Sequence, residues 1–248
     1  MGLIKRFDKS LVRKKRFTLR KGLEILPHIF TLGNGFFGFL SIVFSSQTDF
    51  IGAAYFILLG ALMDLLDGRV ARLAGTTSEL GMQLDSLCDA ISFCVAPAFL
   101  VYSWELYKFG FIGLMSCALF FLAGVLRLAR FNITSNEQSI FFLGLPTTIA
   151  GCFLATLLLN LGYAYRDFWS LVVLSVLMVF LGVLMISTLR FPTFKHMKRG
   201  WSALIILGFI AVGIVMGFTN VVLLFFLIYF VFSFIRSFWF FLYAKEPS

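Results

Sequence analysis

The chain has 248 residues, of which 60% are hydrophobic and only 13% charged, where an average soluble domain carries about 25% charged residues. That balance excludes a soluble or disordered chain and points to a polytopic membrane protein. The formal net charge of +9 follows from the membrane topology argued below and needs no nucleic-acid partner.

A hydrocarbon core about 30 Å thick is crossed by about 20 apolar residues in a helix. Eight such runs are present, near 25–45, 50–68, 82–104, 109–132, 138–162, 168–188, 201–218 and 220–244. The strict apolar–polar alternation of a membrane barrel is absent, so the predicted class is all-α, a polytopic bundle of about eight transmembrane helices. Ahead of the first run, residues 1–24 hold nine Lys or Arg. They are predicted as a basic cytoplasmic arm, which either lies on anionic headgroups at about 1 kcal/mol per cation or only sets orientation. The apolar run after it is too long for a signal-peptide core and has no small-residue cleavage site. Residues 25–248 then form one integral-membrane domain.

The first run carries Thr31 and Asn34 in "TLGN". Taken alone, these read as ordinary helix-packing polar residues. The second run ends on Asp64 and Asp67, and the third begins with Asp85 and Asp89. Spacings of i, i+3 and i, i+4 put each pair on one helix face. The connection "GRVARLAGTTSELG" is short, so the two helices are predicted to be antiparallel neighbours with all four carboxylates in one cavity. A carboxylate in a bilayer costs about 2.5–3.5 kcal/mol on insertion scales, so each needs a partner inside the bundle. Arg72 alone does not neutralise four. Hard divalent cations, Mg²⁺ or Mn²⁺, suit an all-oxygen donor set, and the absence of nearby His and Cys ligands disfavours Zn²⁺. A pair of ions about 3.5–4 Å apart clamps phosphoryl oxygens during in-line displacement. Gly68, Ala71 and Gly81 leave the helix faces bare beside the carboxylates, open to a flat group such as a nucleotide.

Further along, Arg127, Arg130 and Asn132 end the fourth run. Pro146 lacks an N–H and is predicted to kink the fifth helix, with Thr147 or Thr148 satisfying the freed carbonyl. Ser187, Thr188 and Arg190 follow the sixth run. Counting Lys and Arg by loop puts the arm, Arg69, Arg72, Arg127, Arg130, Arg190, Lys195, Lys198, Arg199 and Lys245 on one side. Lys108 and Arg166 fall on the other, and Arg236 falls inside the last run. The excess marks the cytoplasm, with both termini there. Cys88, Cys94, Cys117 and Cys152 show no CxxC spacing and read as apolar packing residues. His28 and His196 each stand alone and read as interfacial or loop residues.

From Asp64 the segment spells D-x2-D-G-x2-A-R-x8-G-x3-D-x3-D, met by Asp64, Asp67, Gly68, Ala71, Arg72, Gly81, Asp85 and Asp89. This resembles the signature of the CDP-alcohol phosphotransferases. The resemblance implies a CDP-linked lipid whose pyrophosphate meets two divalent cations, Mg²⁺ or Mn²⁺, while an alcohol hydroxyl attacks the β-phosphorus and CMP leaves. It makes Asp64, Asp67 and Asp85 metal ligands and Asp89 the general base, also ligating an ion. Thr31, Asn34, Gly68, Ala71, Arg72 and Gly81 become contacts to the nucleotide or its phosphates. It also implies a homodimer in the cytoplasmic membrane with its active site facing the cytoplasm.

The stretches "LPHIFTLGNGFFGFLSI", "RLARFN", "FFLGLPTTIAG" and "LMISTLRFPTFK" are similar to the serine-accepting, membrane-embedded bacterial branch of the family. The likeness runs over residues 25–195 and leaves 201–244 as extra helices. Its implied substrates are CDP-diacylglycerol and L-serine, with membrane lipids around the protein. Arg127, Arg130, Asn132, Ser187 and Arg190 are then candidate contacts to acceptor or phosphate, since the guanidinium fork suits both. Charge alone leaves open a sibling that accepts glycerol 3-phosphate or inositol phosphate. A divalent-cation transporter, expected to carry carboxylates at mid-membrane in mirrored halves, fits the one-faced cluster poorly. Nothing in the signature supports an inactive lipid binder.

Overall fold

The computed structural model describes residues 28–74, 78–134, 142–162, 167–188 and 190–191, together with 220, 223, 224, 226 and 228. The basic arm, Arg166, Lys195, His196, Lys198, Arg199, Arg236, Lys245, the seventh predicted run and most of the eighth lie outside these residues. The described part is helical apart from one two-residue antiparallel bridge.

Five helical rods are long and apolar enough to cross a membrane: His28–Ser46, Phe50–Val70, Glu79–Trp104, Leu106–Ile133 and Phe168–Ile186, while Thr147–Leu161 is shorter. In chain order the elements are α1 (His28–Ser46), α2 (Phe50–Ala74), α3 (Glu79–Asp89), a π-helical turn Ala90–Val95, α4 (Ala96–Trp104), a 3₁₀ turn Leu106–Phe109, α5 (Gly110–Thr134), α6 (Thr147–Leu161) and α7 (Phe168–Ile186). Five long spans and one short apolar helix thus stand where six of the eight predicted runs fall.

The inward and outward faces of α1 show what drives assembly. Ile29, Leu32, Phe36 and Phe39 point outward and are more than half exposed, as lipid-facing residues must be. Thr31, Asn34, Ser41 and Ser45 point inward and are buried. Lipid is as apolar as leucine, so helices in a bilayer associate through small residues and polar contacts rather than by hiding apolar surface. The core proper is built from Ala53, Ala54 and Ile57 of α2, Phe93 of the π turn, Leu100 of α4, Phe120 of α5, Leu154 of α6 and Met178, Leu181 and Met185 of α7. Among α2 to α7, the most extensive helix pairings are α5 on α7 and α2 on α6. Phe226 reaches this core and meets Phe153 edge to face, with ring centroids 6.3 Å apart.

Two features of the third rod follow from Pro97. Proline has no N–H for the carbonyl four residues back and its ring crowds that turn. The rod answers with a widened turn just before it, in which Ala96 N–H bonds to Ile91 five residues back, and so runs on as α4. Such π turns often mark functional sites, and this one begins at the residue after Asp89.

The prediction for the fifth run requires correction. The helix begins at Thr147, not near 138, and Pro146 is its N-cap, so Pro146 starts α6 and kinks nothing. The sequence before it forms β1 (Phe142–Leu143), which pairs with β2 (Arg190–Phe191) in the register Phe142↔Phe191 and Leu143↔Arg190. Gly144 then takes φ 78°, a conformation that only glycine adopts without strain. A proline at a helix start loses no intrahelical bond. At about 1.5 Å per residue, the 15 residues of α6 fall short of the roughly 30 Å core.

Candidate active site

Because α2 and α3 are joined by a short connection, their acidic ends come together. One oxygen each from Asp64, Asp85 and Asp89 lies within 4.8 Å of the others. Asp89 is buried, while Asp64 and Asp85 are half-buried. Asp67 is buried as well and is close enough to act electrostatically on Asp64 and Asp85, but its carboxylate accepts a hydrogen bond from the Thr31 hydroxyl. Three of the four predicted aspartates therefore form the tight group, and the fourth stands at its edge in contact with α1.

Helix α1 supplies a second partner three residues further on. Asn34 Nδ2 donates to Asp89 Oδ1 at 2.8 Å, and Ser92 Oγ of the π turn donates to the Asn34 carbonyl at 2.8 Å. Gly81, expected to leave a bare helix face, is covered instead: a Cβ there would stand 3.0 Å from Cε1 of His28. Its N–H donates to the Ser78 hydroxyl, which caps α3. Gly68 is exposed on α2. Ala71 and Arg72 continue α2, with their side chains outside the described residues.

The basic and polar residues at the ends of α5 and α7 divide into three roles. Arg127 is buried, donates from Nη1 to Thr147 Oγ1 at 3.4 Å and lies in electrostatic reach of Asp89. Arg130 donates to the carbonyls of Ile186 and Ser187 at 3.1 and 3.3 Å, tying down the end of α7, where carbonyls lack helical partners. Asn132 accepts from the Ser86 hydroxyl at 2.9 Å and donates to Gln83 Oε1 at 3.4 Å, which joins α5 to α3. Ser187 caps locally, donating to the Leu184 carbonyl at 2.7 Å. The Arg190 side chain lies outside the described residues. The four cysteines are free and buried.

The donor set fits a hard divalent cation. Three converging carboxylates offer only oxygen ligands, the chemistry of Mg²⁺ and Mn²⁺.

Residues 24–187 match the family CDP-alcohol phosphatidyltransferase. The chain is 39% identical over 178 residues to the CDP-diacylglycerol–serine O-phosphatidyltransferase of Helicobacter pylori, covering 71% of this chain and 75% of that one. It is 34% identical over 173 residues to the Bacillus subtilis protein of the same name, covering 70% and 93%. To the archaetidylserine synthase of Methanothermobacter thermautotrophicus it is 36% identical over 169 residues, covering 67% and 69%. The chain belongs to the CDP-alcohol phosphatidyltransferase family and is a transferase.

Proposed function

We propose that this transferase moves the phosphatidyl group of CDP-diacylglycerol to the hydroxyl of L-serine and releases CMP. The observation that supports the acceptor is the common element in the relatives' names: the two bacterial proteins are serine phosphatidyltransferases and the archaeal one makes an archaetidylserine. Acyl chains of the donor stay in the bilayer, and the acidic group lies where the membrane rods α2 and α3 meet.

In this reading Asp64, Asp67, Asp85 and Asp89 hold two divalent cations, Mg²⁺ or Mn²⁺. Once bound, they neutralise charge on the pyrophosphate and on departing CMP. Asp89 accepts the serine hydroxyl proton as the new O–P bond forms and the bond from the β-phosphorus to the CMP oxygen breaks. Arg127, buried and in electrostatic reach of Asp89, restrains the carboxylate of the acceptor or the donor phosphate. Gly68, Ala71 and Arg72 border the nucleotide, with Gly81 behind His28 at the edge of that surface, and Asn132, Ser187 and Arg190 lie on the acceptor side.

The same reading puts the protein in the cytoplasmic membrane with the site facing the cytoplasm, both termini inside, and helices 201–218 and 220–244 completing eight spans. Residues 1–24 are then a basic surface arm, 25–248 a single catalytic domain, and a second copy completes a homodimer.

The test is CMP release by purified protein in detergent with Mn²⁺ or Mg²⁺, given L-serine, glycerol 3-phosphate or inositol phosphate separately. Serine-dependent release, lost with chelator and in Asp89→Asn, is the expected result. Release with glycerol 3-phosphate alone would keep the site and replace the acceptor, and no release with any alcohol would overturn the assignment.

A further inference from the structure

The family resemblance makes Thr31 and Asn34 contacts to the nucleotide, yet their geometry suits a different task. Thr31 is 2% exposed and Asn34 is 0% exposed, so neither side chain presents surface to a substrate. They are three residues apart on one face of α1 and reach different helices: Thr31 donates to Asp67 of α2, and Asn34 donates to Asp89 at the end of α3. We infer that Thr31 and Asn34 are positioning residues, a two-point clamp by which α1 sets the carboxylates of two separate helices relative to each other before any substrate binds. This rests on the proposed roles of Asp67 and Asp89.

Two further contacts fix the Asn34 arm of the clamp. Ser92 Oγ holds the Asn34 backbone carbonyl at 2.8 Å. Asn34 Oδ1 is buried and has no hydrogen-bond partner among the described residues, because the amide is turned to give its N–H to Asp89. That oxygen faces Gly60 of α2, where a Cβ would stand 3.0 Å away. The π turn thus holds the backbone at Asn34, the amide oxygen lies close against α2 at Gly60, and the amide nitrogen gives its bond to Asp89. A carboxylate has two oxygens and rotates about its last bond. A neutral donor on one oxygen fixes which is left for a cation or a proton without cancelling the charge. Partners behind metal-ligating groups characteristically change metal affinity or activity by about 10–100-fold when removed.

The experiment uses the full-length protein in detergent with Thr31→Val, which keeps the shape and removes the hydroxyl, Thr31→Ser, which restores it, and Asn34→Ala. Mn²⁺ affinity is read by electron paramagnetic resonance without nucleotide, CMP binding by equilibrium dialysis at saturating Mn²⁺, and kcat and KM from CMP release. The clamp predicts that Thr31→Val and Asn34→Ala weaken Mn²⁺ binding or lower kcat by about 10–100-fold. KM for CDP-diacylglycerol and CMP affinity at saturating Mn²⁺ stay within about twofold, and Thr31→Ser recovers most of the loss. The opposite pattern, CMP affinity lost while Mn²⁺ affinity and kcat persist, would overturn the clamp and make the two residues nucleotide contacts. Should Asn34→Ala fail to fold, the Thr31→Val and Thr31→Ser pair still decides. Wild-type protein that binds no Mn²⁺ and releases no CMP would overturn the clamp together with the site assignment, a result distinct from failure of the clamp alone.

Discussion

Ser92 in the π turn donates its hydroxyl to the backbone carbonyl of Asn34 in α1 at 2.8 Å. A carbonyl already used within its helix takes this second bond because the two backbones touch. The close approach is possible because α1 has Gly38 one turn further along: a Cβ there would stand 2.3 Å from Ser92 Oγ and 2.7 Å from Ser92 Cα.

Gly38→Ala is therefore expected to push α1 off the third rod. Because backbone as well as side chain must move, the cost is at the upper end of the roughly 1–3 kcal/mol typical of overpacking. The check is a thermal melt in detergent beside Gly33→Ala, whose Cβ would meet only the flexible Met63 side chain at 3.6 Å. Equal melting of the two variants would show that the α1 contact does not depend on Gly38.

How far the sequence exposed this arrangement depends on which property carried the information. Aspartates at 64, 67, 85 and 89 contradict the hydropathy around them, so their meeting was legible from spacing and a short connection. The division into a tight group of Asp64, Asp85 and Asp89 and an Asp67 held by Thr31 was not, because it depends on the rotation of α1, which period and composition leave undetermined. Hydropathy also ran the fifth helix back to residue 138, since Phe141, Phe142 and Leu143 are as apolar in a strand as in a helix. Only the conformation at Gly144 and the missing N–H of Pro146 set the start at Thr147. Pro97 is the sequence signal for the π turn, but it lies inside an otherwise continuous apolar run, where hydropathy shows only a single span. Charge makes Arg130 a candidate ligand contact, and its bonds to the end of α7 are a relationship that composition and spacing leave undetermined.

Divalent cations are expected to stabilise the folded protein, since three carboxylates facing one another repel until a cation lies among them. At a free metal concentration about 100 times the dissociation constant, mass action adds about 2.7 kcal/mol. Melting with and without Mn²⁺ should show a rise in Tm that chelator reverses and that Asp64→Asn combined with Asp85→Asn abolishes. A rise that survives the double substitution would place the cation elsewhere.

Arg127 and Asp89 form a test of buried charge. Arg127 is 7% exposed and Asp89 9%, and the guanidinium acts on the carboxylate electrostatically. The guanidinium bonds to Thr147 and is not in salt-bridge contact with Asp89, so removing it withdraws a nearby compensating charge at less than the roughly 3–5 kcal/mol of a contacting buried pair. Arg127→Met alone should therefore melt well below wild type, and should cost markedly less when introduced into Asp89→Asn. Additive losses in this double-mutant cycle would show that the two charges are not coupled.

The end of α7 gives the last prediction. Arg130 reaches from α5 to the carbonyls of Ile186 and Ser187, while Leu145 N–H bonds the Leu184 carbonyl at 3.0 Å. These bonds, with the bridge between Leu143 and Arg190, fasten the α6 entry to the α7 exit. Hydrogen bonds from a charged donor are worth about 1.5–3 kcal/mol, and a cation at a helix C-terminus adds about 0.3–1 kcal/mol. Arg130→Gln keeps one donor and loses the charge and the fork, so it should destabilise by about 1–3 kcal/mol. KM for L-serine is the discriminating readout: an unchanged KM fits a cap, and a tenfold rise would return Arg130 to the acceptor site.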